Sequence, residues 1–416
     1  MSERALLVHV DFTKASDNED LAEFQALADA AGAQTLETIT VRRERVDVRY
    51  LIGKGKVEEL VQKVTEQKAD LVIVNHSLSP SQERNLEREL KCRVIDRTGL
   101  ILDIFAQRAQ SFEGKLQVEL AQLNHLASRL VRTWTHLERQ KGGIGLRGPG
   151  EAQLETDRRL IRQRIKTLLS RLAKIKAQRS ASRKSRSKSA LPTVSLVGYT
   201  NAGKSTLFNT LANDEVYVAD QLFATLDPTL RRIQIPGVGD VILVDTVGFV
   251  QHLPHQLIEA FSATLEETRD ADLLLHVIDV SDPRRDEKIT HVNDVLAQID
   301  ADQVLQIQVF NKIDLLEEAQ ALTSEQVGIC AQTGQGLVVL EQAIARALAS
   351  ELIKCQLSLS ADMGGIRAQL YETQAILQEQ AREEGGWIVT VQLHRDVLRH
   401  ILRKAGIAFE DVQVIR

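Results

Sequence analysis

The run PTVSLVG (192–198) is short and apolar; it passes directly into GYTNAGKS (198–205) and then into the helix-forming STLFNTLAN (205–213). A strand that turns through a glycine-rich loop into a helix confines the segment to an α/β arrangement, with the loop at the carboxyl end of a parallel strand. The spacing G-x-x-x-x-G-K-S also defines what the loop can hold. Gly198 and Gly203 let the backbone turn its N–H groups onto phosphate oxygens, and the helix N-terminus behind them adds partial positive charge. Tyr199, Thr200, Asn201 and Ala202 complete that cradle. Lys204 is expected to reach the β- and γ-phosphates of a nucleotide, and the Ser205 hydroxyl to ligate magnesium.

Further segments select the nucleotide and its chemistry. VILVDTVG (241–248) is a strand ending in D-x-x-G. Asp245 would hold Mg2+ through water, Thr246 and Val247 line the turn, and the Gly248 N–H would meet the γ-phosphate. VLQIQVF (304–310) leads into Asn311, Lys312, Ile313 and Asp314, the pattern N-K-x-D. The Asp314 carboxylate accepts from guanine N1–H and its 2-amino group. Adenine has no such donor pair, and an unpaired buried acceptor costs more than other contacts regain. Asn311 would support guanine N7 and the neighbouring loop, and Lys312 would lie over the base. Cys330, Ala331 and Gln332 look like an S-A-x loop whose backbone N–H meets guanine O6, with cysteine where serine is usual. The loop QLFATLDPTLRR (221–232) should supply a switch threonine for the magnesium. Thr225 and Thr229 both qualify. Thr225 is preferred because Phe223, Ala224, Thr225, Leu226 and Asp227 resemble the switch of related GTPases. Lys204, Thr225 and Gly248 form the expected catalytic set. Water would attack the γ-phosphorus in line, and the switches would relax when the γ-phosphate leaves. Phe249 follows D-x-x-G where Ras-type enzymes carry a water-orienting glutamine. Slow intrinsic turnover, raised by a partner, is therefore expected. Asn201 stands where some related GTPases bind K+ in place of an arginine finger; a turn-forming asparagine accounts for it equally well.

Around this domain the chain changes character several times. Residues 1–110 alternate strand-like runs, ALLVHV and ADLVIVNH, with helix-like runs, DLAEFQALADAAGA and PSQERNLERELK. That alternation predicts a small α/β domain with a largely parallel sheet. Residues 111–180 read as a helical hairpin. Leu116, Leu120, Leu123, Leu130, Trp134 and Leu137 form one apolar stripe, and Ile161, Ile165, Leu168, Leu172 and Ile175 form another. Between them KGGIGLRGPG (141–150) has five glycines and a proline, which end any helix. QRSASRKSRSKSA (178–190) lacks large apolar residues and reads as a flexible linker, with 181–190 its core. The nucleotide domain then occupies 191–350. Residues 351–416 read as a helix over Met363–Arg382, a strand WIVTVQL and a helix HRDVLRHILRKAG, a small α+β domain.

The total charge is −5, yet Arg158 to Lys188 holds thirteen Lys and Arg with no acid, leaving −18 on the rest of the chain. An acidic chain with one basic segment predicts a localised electrostatic contact. No apolar run is long enough for a membrane span, and no signal-peptide core opens the chain. Cys92, Cys330 and Cys355 are far apart, as reduced thiols of a cytoplasmic protein would be. His76, His125 and His136 show no metal-ligand spacing.

GKGKVEEL (53–60), GGIGLRGPGEAQLETDRR (142–159), GYTNAGKSTLFN, FATLDPT and DTVGF together resemble the HflX family of ribosome-associated GTPases, over roughly residues 5–350. The G-x-G-E-x-Q-L-E-x-D-R-R segment (148–159) is the most family-specific part. Ile144, Leu146 and Cys330 depart from the usual pattern. The resemblance implies a GTP/GDP switch with a Ras-like P-loop domain that binds rRNA of the large ribosomal subunit near the peptidyl transferase centre. It also implies a role in splitting or rescuing stalled ribosomes under stress. A narrow hairpin tip could enter an RNA cavity, and Arg147, Arg158, Arg159 and the basic helix could neutralise phosphates. The rivals are a ribosome-assembly or tRNA-modification GTPase and a regulatory GTPase with a protein partner. Bland readings are preferred for GKGK, a turn rather than a second phosphate loop, and for Trp134, hairpin core rather than a stacking residue. A monomer is expected.

Overall fold

The computed structural model describes residues 3–12, 18–132, 149–186, 191–213, 223, 225–250, 262–316, 326–372, 375–382, 385–394, 398, 401–402 and 413–414. By packing, the chain divides into two compact units. The first comprises Met1–Ile175, Val218–Asp227 and Val247–Thr264, and the second Lys176–Tyr217, Pro228–Thr246 and Leu265–Arg416.

In the first unit, β1 (Arg4–Asp11), β2 (Gln34–Arg42), β3 (Leu71–Val74) and β4 (Arg93–Asp96) form a sheet in the order β2-β1-β3-β4. Every pairing is parallel, as the alternating pattern requires. Seven of the eight β1 residues are buried, because crossover helices cover both faces of a parallel sheet. The crossovers are α1 (Asn18–Ala30), α2 (Lys54–Gln67) and α3 (Pro80–Leu90). Helix α3 starts with Pro80 behind a reciprocal Ser79–Gln82 capping box. Helix α4 (Arg97–Arg108) is capped by Asp96, which accepts from Gly99 N–H at 2.8 Å. Arg97 is buried against Glu23 and the Asn75 carbonyl oxygen, so its charge is both paired and hydrogen-bonded.

Helices α5 (Phe112–Arg132) and α6 (Pro149–Arg186) are the expected hairpin arms. On α5, Leu116, Val118 and Ala121 are buried. On α6 the stripe Ile161, Ile165, Leu168, Leu172 and Ile175 is the sheltered one among exposed neighbours, with Leu168 fully buried. Trp134, Leu137 and the tip residues 141–148, Arg147 included, lie outside the described residues. One expectation is corrected: α6 runs on to Arg186, through most of the segment read as a linker. Ala, Arg, Lys and Gln are good helix formers, and neither Gly nor Pro interrupts them before Pro192.

In the second unit, β5 (Thr193–Gly198), β6 (Thr229–Ile235), β7 (Gly239–Asp245), β8 (Leu273–Asp279), β9 (Gln306–Asn311) and β10 (Gln326–Gly328) form one sheet. Its order is β10-β9-β8-β5-β7-β6, with only the β6 edge antiparallel. Helices α7 (Lys204–Ala212), α8 (Ser262–Arg269), α9 (Arg285–Gln298) and α10 (Leu337–Glu351) accompany it. A core of Leu196, Leu207, Val241, Leu243, Leu273, Leu275, Val277 and Leu340 fastens these helices to the sheet. Burying one such side chain is worth about 1.5–3 kcal/mol.

The C-terminal segment folds on β11 (Leu352–Leu359), β12 (Ile376–Ala381), β13 (Trp387–His394) and β14 (Gln413–Val414), in the order β12-β13-β11-β14, with α11 (Gly364–Glu372). The α+β class holds, but the single helix expected over Met363–Arg382 is corrected. Its second half is β12, paired antiparallel with β13. Gly385 and Gly386, at φ 87° and 99°, provide the turn between them. The chain as a whole is α/β.

Candidate nucleotide-binding and catalytic site

Strand β5 delivers the phosphate loop. Gly198 sits at φ 144° and Gly203 at φ 92°, conformations that side chains resist. A Cβ at Gly198 would run into the Val277 carbonyl, and one at Gly203 into the Asn311 amide. Close packing thus demands glycine at both motif positions. Asn201, exposed and at φ 62°, has the left-handed conformation that asparagine tolerates in turns. Tyr199, Thr200 and Ala202 are buried. Lys288 of α9 sits 4.7 Å from the Tyr199 ring centroid, a cation–π contact that braces the loop.

Lys204 opens α7 and is only 6% exposed; its ammonium donates to the Tyr199 carbonyl at 2.7 Å. Burial lowers its pKa to about 8, against the opposing pull of Asp245. A buried ammonium whose charge is this poorly compensated favours an anionic ligand. Ser205 Oγ donates to Asp245 Oδ2 at 2.7 Å, joining the loop to the end of β7. A hydroxyl and a carboxylate at this separation are hard oxygen donors, a set that fits Mg2+. Thr246 donates to the Leu196 carbonyl, which pins the D-x-x-G turn to β5.

Asn311 joins two loops. Its Nδ2 donates to the Ala202 carbonyl at 2.8 Å, and its Oδ1 accepts from Ala331 N–H at 2.9 Å. One side chain, 2% exposed, therefore holds the phosphate loop and the C-A-Q loop together. Cys330 is a buried free thiol whose N–H donates to the Gln335 carbonyl, while Gln332 is exposed. Ile313 and the exposed Asp314 lie in a single 3-10 turn. The Lys312 ammonium is held at 2.6 Å by Asp279, at the end of β8. Asp279 also accepts from Ser281 N–H and Oγ.

Sequence reasoning did not single out Asp279, although D-x-S after a buried strand is an Asx-turn signal. It also passed over His276 on β8, 1% exposed and bonded to Gln306 at 2.7 Å. Burial first, then Lys204, lowers the His276 pKa to about 4, so it is neutral at physiological pH.

The switch residues group with the first unit. Phe223, Thr225, Leu226 and Asp227, and likewise Val247, Gly248 and Phe249, belong to it by packing. Ala224 lies outside the described residues. Asp227 Oδ2 accepts from Gln110 and Ser111 N–H at 2.9 and 2.7 Å, and Oδ1 accepts from Ser111 Oγ. That carboxylate, expected at the nucleotide, is engaged at the start of α5. Phe249 is buried.

Family models match most of the chain. One described as GTP-binding GTPase N-terminal matches residues 18–106, and one described as GTP-binding GTPase Middle Region matches 108–186. A third, described as 50S ribosome-binding GTPase, matches residues 193–312. GTPase HflX of Escherichia coli (strain K12) is 55% identical over 398 residues, covering 94% of this chain and 93% of that protein. GTPase HflX of Caldanaerobacter subterraneus subsp. tengcongensis is 50% identical over 349 residues, covering 84% and 81%. The crystal structure of SsGBP in complex with GDP superposes with a TM-score of 0.50 at 25% identity, covering 83% of this chain and 98% of that one. Among the described residues no helix is long and apolar enough to cross a membrane.

Proposed function

The chain belongs to the HflX family of GTPases, and from that premise we propose that it is a cytoplasmic, monomeric switch that binds the large ribosomal subunit and splits or rescues stalled ribosomes under stress. The observation that carries the ribosome part is the surface of α6. Arg159, Arg162 and Lys166 are exposed at i, i+3 and i+7, on one face of a helix that has no acid from Arg158 onward. These three cations span about 10 Å of helix, a ladder suited to successive rRNA phosphates. Arg164, by contrast, is engaged by Glu119 at 2.6 Å.

GTP hydrolysis is assigned to residues of the phosphate loop and the switches. Ser205 and Thr225 would ligate Mg2+, with Asp245 acting through water. When bound, the metal supplies charge neutralisation across the β- and γ-phosphate oxygens. Lys204 binds the same oxygens, and its buried ammonium supports the developing charge. The Gly248 N–H would contact the γ-phosphate. Asp314 would read guanine N1–H and the 2-amino group, with Lys312 over the base and the loop of Cys330, Ala331 and Gln332 at O6. With Phe249 after D-x-x-G, the water-orienting group is proposed to come from the ribosome, assisted by K+ at Asn201.

The test is steady-state GTP hydrolysis with and without purified large subunits, in K+ and in Na+ buffer, with Lys204→Ala as the blank. A salt-sensitive stimulation that falls severalfold in Arg159→Ala/Arg162→Ala/Lys166→Ala supports the reading. GTP turnover that the subunit leaves unchanged overturns it in favour of a protein-partner switch. Stimulation confined to precursor particles or tRNA would point to an assembly or modification factor.

A further inference from the structure

Helix α7 opens with Lys204 and Ser205 of the phosphate loop and carries Thr210 further along. The half-buried Thr210 hydroxyl stands 2.9 Å from the Thr206 carbonyl, the i−4 partner open to any helical threonine. It also stands 2.8 Å from the Ala331 carbonyl, 121 residues away in sequence. That second contact is not local. The packing around it is close, since Ala331 and Ile329 belong to the same buried cluster as Leu207 and Phe208 of α7.

The C-A-Q loop is therefore gripped one peptide after another. The Cys330 N–H donates to the Gln335 carbonyl at 3.0 Å, and the Ala331 N–H donates to Asn311 Oδ1 at 2.9 Å. Thr210 takes the next group, the Ala331 carbonyl. Ala331 is 2% exposed, so that carbonyl depends on a donor from the protein. A peptide is planar, and among the described residues none is cis, so each N–H points away from its own carbonyl. With the Ala331 carbonyl turned in to α7, the N–H of the same peptide, that of Gln332, is turned the other way. Gln332 is exposed.

We infer that Thr210 is a positioning residue for base selection: its hydroxyl fixes the peptide plane between Ala331 and Gln332 and so aims the Gln332 N–H at guanine O6. The inference rests on the assignment of the C-A-Q loop to O6. A backbone donor discriminates only while its direction is fixed, because a hydrogen bond weakens steeply as the angle at hydrogen falls toward about 120°. Thr210 sets that direction from the helix that begins with Lys204.

Thr210→Val tests this. Valine keeps the branched shape and a similar helix propensity but has no proton to donate. The full-length chain would be titrated calorimetrically with GDP and with the diphosphate of 2-aminopurine riboside, which keeps the 2-amino group and has no O6. That nucleotide also lacks N1–H, a loss shared by every variant compared. Expected is a preference for GDP that falls about fivefold, with the 2-aminopurine nucleotide bound as before. Fivefold corresponds to about 1 kcal/mol, the net worth of one hydrogen bond. Thr210→Ser, which keeps the hydroxyl, should restore the preference. Thr210→Ala, a better helix former, removes the hydroxyl a second way and should lose the preference as valine does. A preference that both hydroxyl-free variants keep overturns the inference. So does equal weakening of the two nucleotides, which marks a merely structural bond. Gln332→Pro, which deletes the N–H itself, separates the two ideas. If it keeps the preference for GDP, the O6 assignment fails and the inference with it. If it loses the preference while Thr210→Val does not, only the role of Thr210 fails.

Discussion

Replacing Asn311 by alanine tests whether one buried amide organises the nucleotide site. In the structure this side chain donates to the Ala202 carbonyl at 2.8 Å and accepts from Ala331 N–H at 2.9 Å, with 2% of its surface exposed. Alanine removes both bonds and orphans two backbone groups. Each orphaned buried group costs about 1–3 kcal/mol. Water can reach loops at a ligand site, so the lower half of the summed range applies, about 3 kcal/mol, or a little over two decades in affinity. Because Asn311 joins the phosphate loop to the C-A-Q loop, the loss should fall mainly on nucleotide binding. Fluorescent GDP and GTP-analogue titrations should both weaken about a hundredfold, while thermal unfolding of the nucleotide-free chain shifts by only a few degrees. Asn311→Asp should be at least as damaging, because it turns an acceptor toward the Ala202 carbonyl. A GDP affinity within threefold of the unmodified chain, with the chain folded, would refute the reasoning.

Other outcomes follow from single sites. Asp279→Asn removes the charge that holds Lys312 at 2.6 Å but keeps the shape of the Asx turn. The pair is about a quarter exposed, so its loss is worth about 1 kcal/mol; titration should show GDP and GTP weakened equally, about fivefold. His276 is buried neutral with its pKa near 4, below its unfolded value of about 6.5. The unfolded chain therefore binds the extra proton first, so stability is complete above pH 6.5 and is lost as pH falls from there toward 4. Urea melts should show a loss of about 3 kcal/mol across that window, absent in a folded His276→Gln variant. Leu168→Ala on α6 empties a fully buried position and should cost about 2–4 kcal/mol in the same melts, whereas Leu169→Ala, 52% exposed, should cost little.

Much of this protein is legible in its sequence because the decisive signals are local. A β-branched run followed by G-x-x-x-x-G-K-S allows few backbone paths, and glycine is the residue that tolerates φ 144° at position 198 and φ 92° at 203. N-K-x-D and D-x-x-G follow buried strands for the same reason: a strand's carboxyl end is where a parallel sheet presents side chains to a ligand. The parallel sheet of the first unit and the stripe of α6 came from periodicity alone.

Local signals failed where tertiary pairing competed. ILQEQA (376–381) has a helical composition, yet it pairs with Trp387–His394, because an otherwise open strand edge offers more hydrogen bonds than propensity can offset. Ser-rich residues 181–186 read as a linker but continue α6, since propensity costs there are small and no breaker intervenes. The sequence pointed Asn311 at one neighbouring loop, but nothing in the order of residues indicated that it would bond both the phosphate loop and the C-A-Q loop, that Asp279 would hold Lys312, or that Asp227 would engage the start of a helix a hundred residues upstream. Sequence by itself supplied the groups proposed to grip a phosphate, a guanine and a magnesium ion. Only the tertiary structure decided how those groups are held, because a carboxylate or amide finds its partner across chain separations that carry no local pattern, and burial then makes that partnership obligatory.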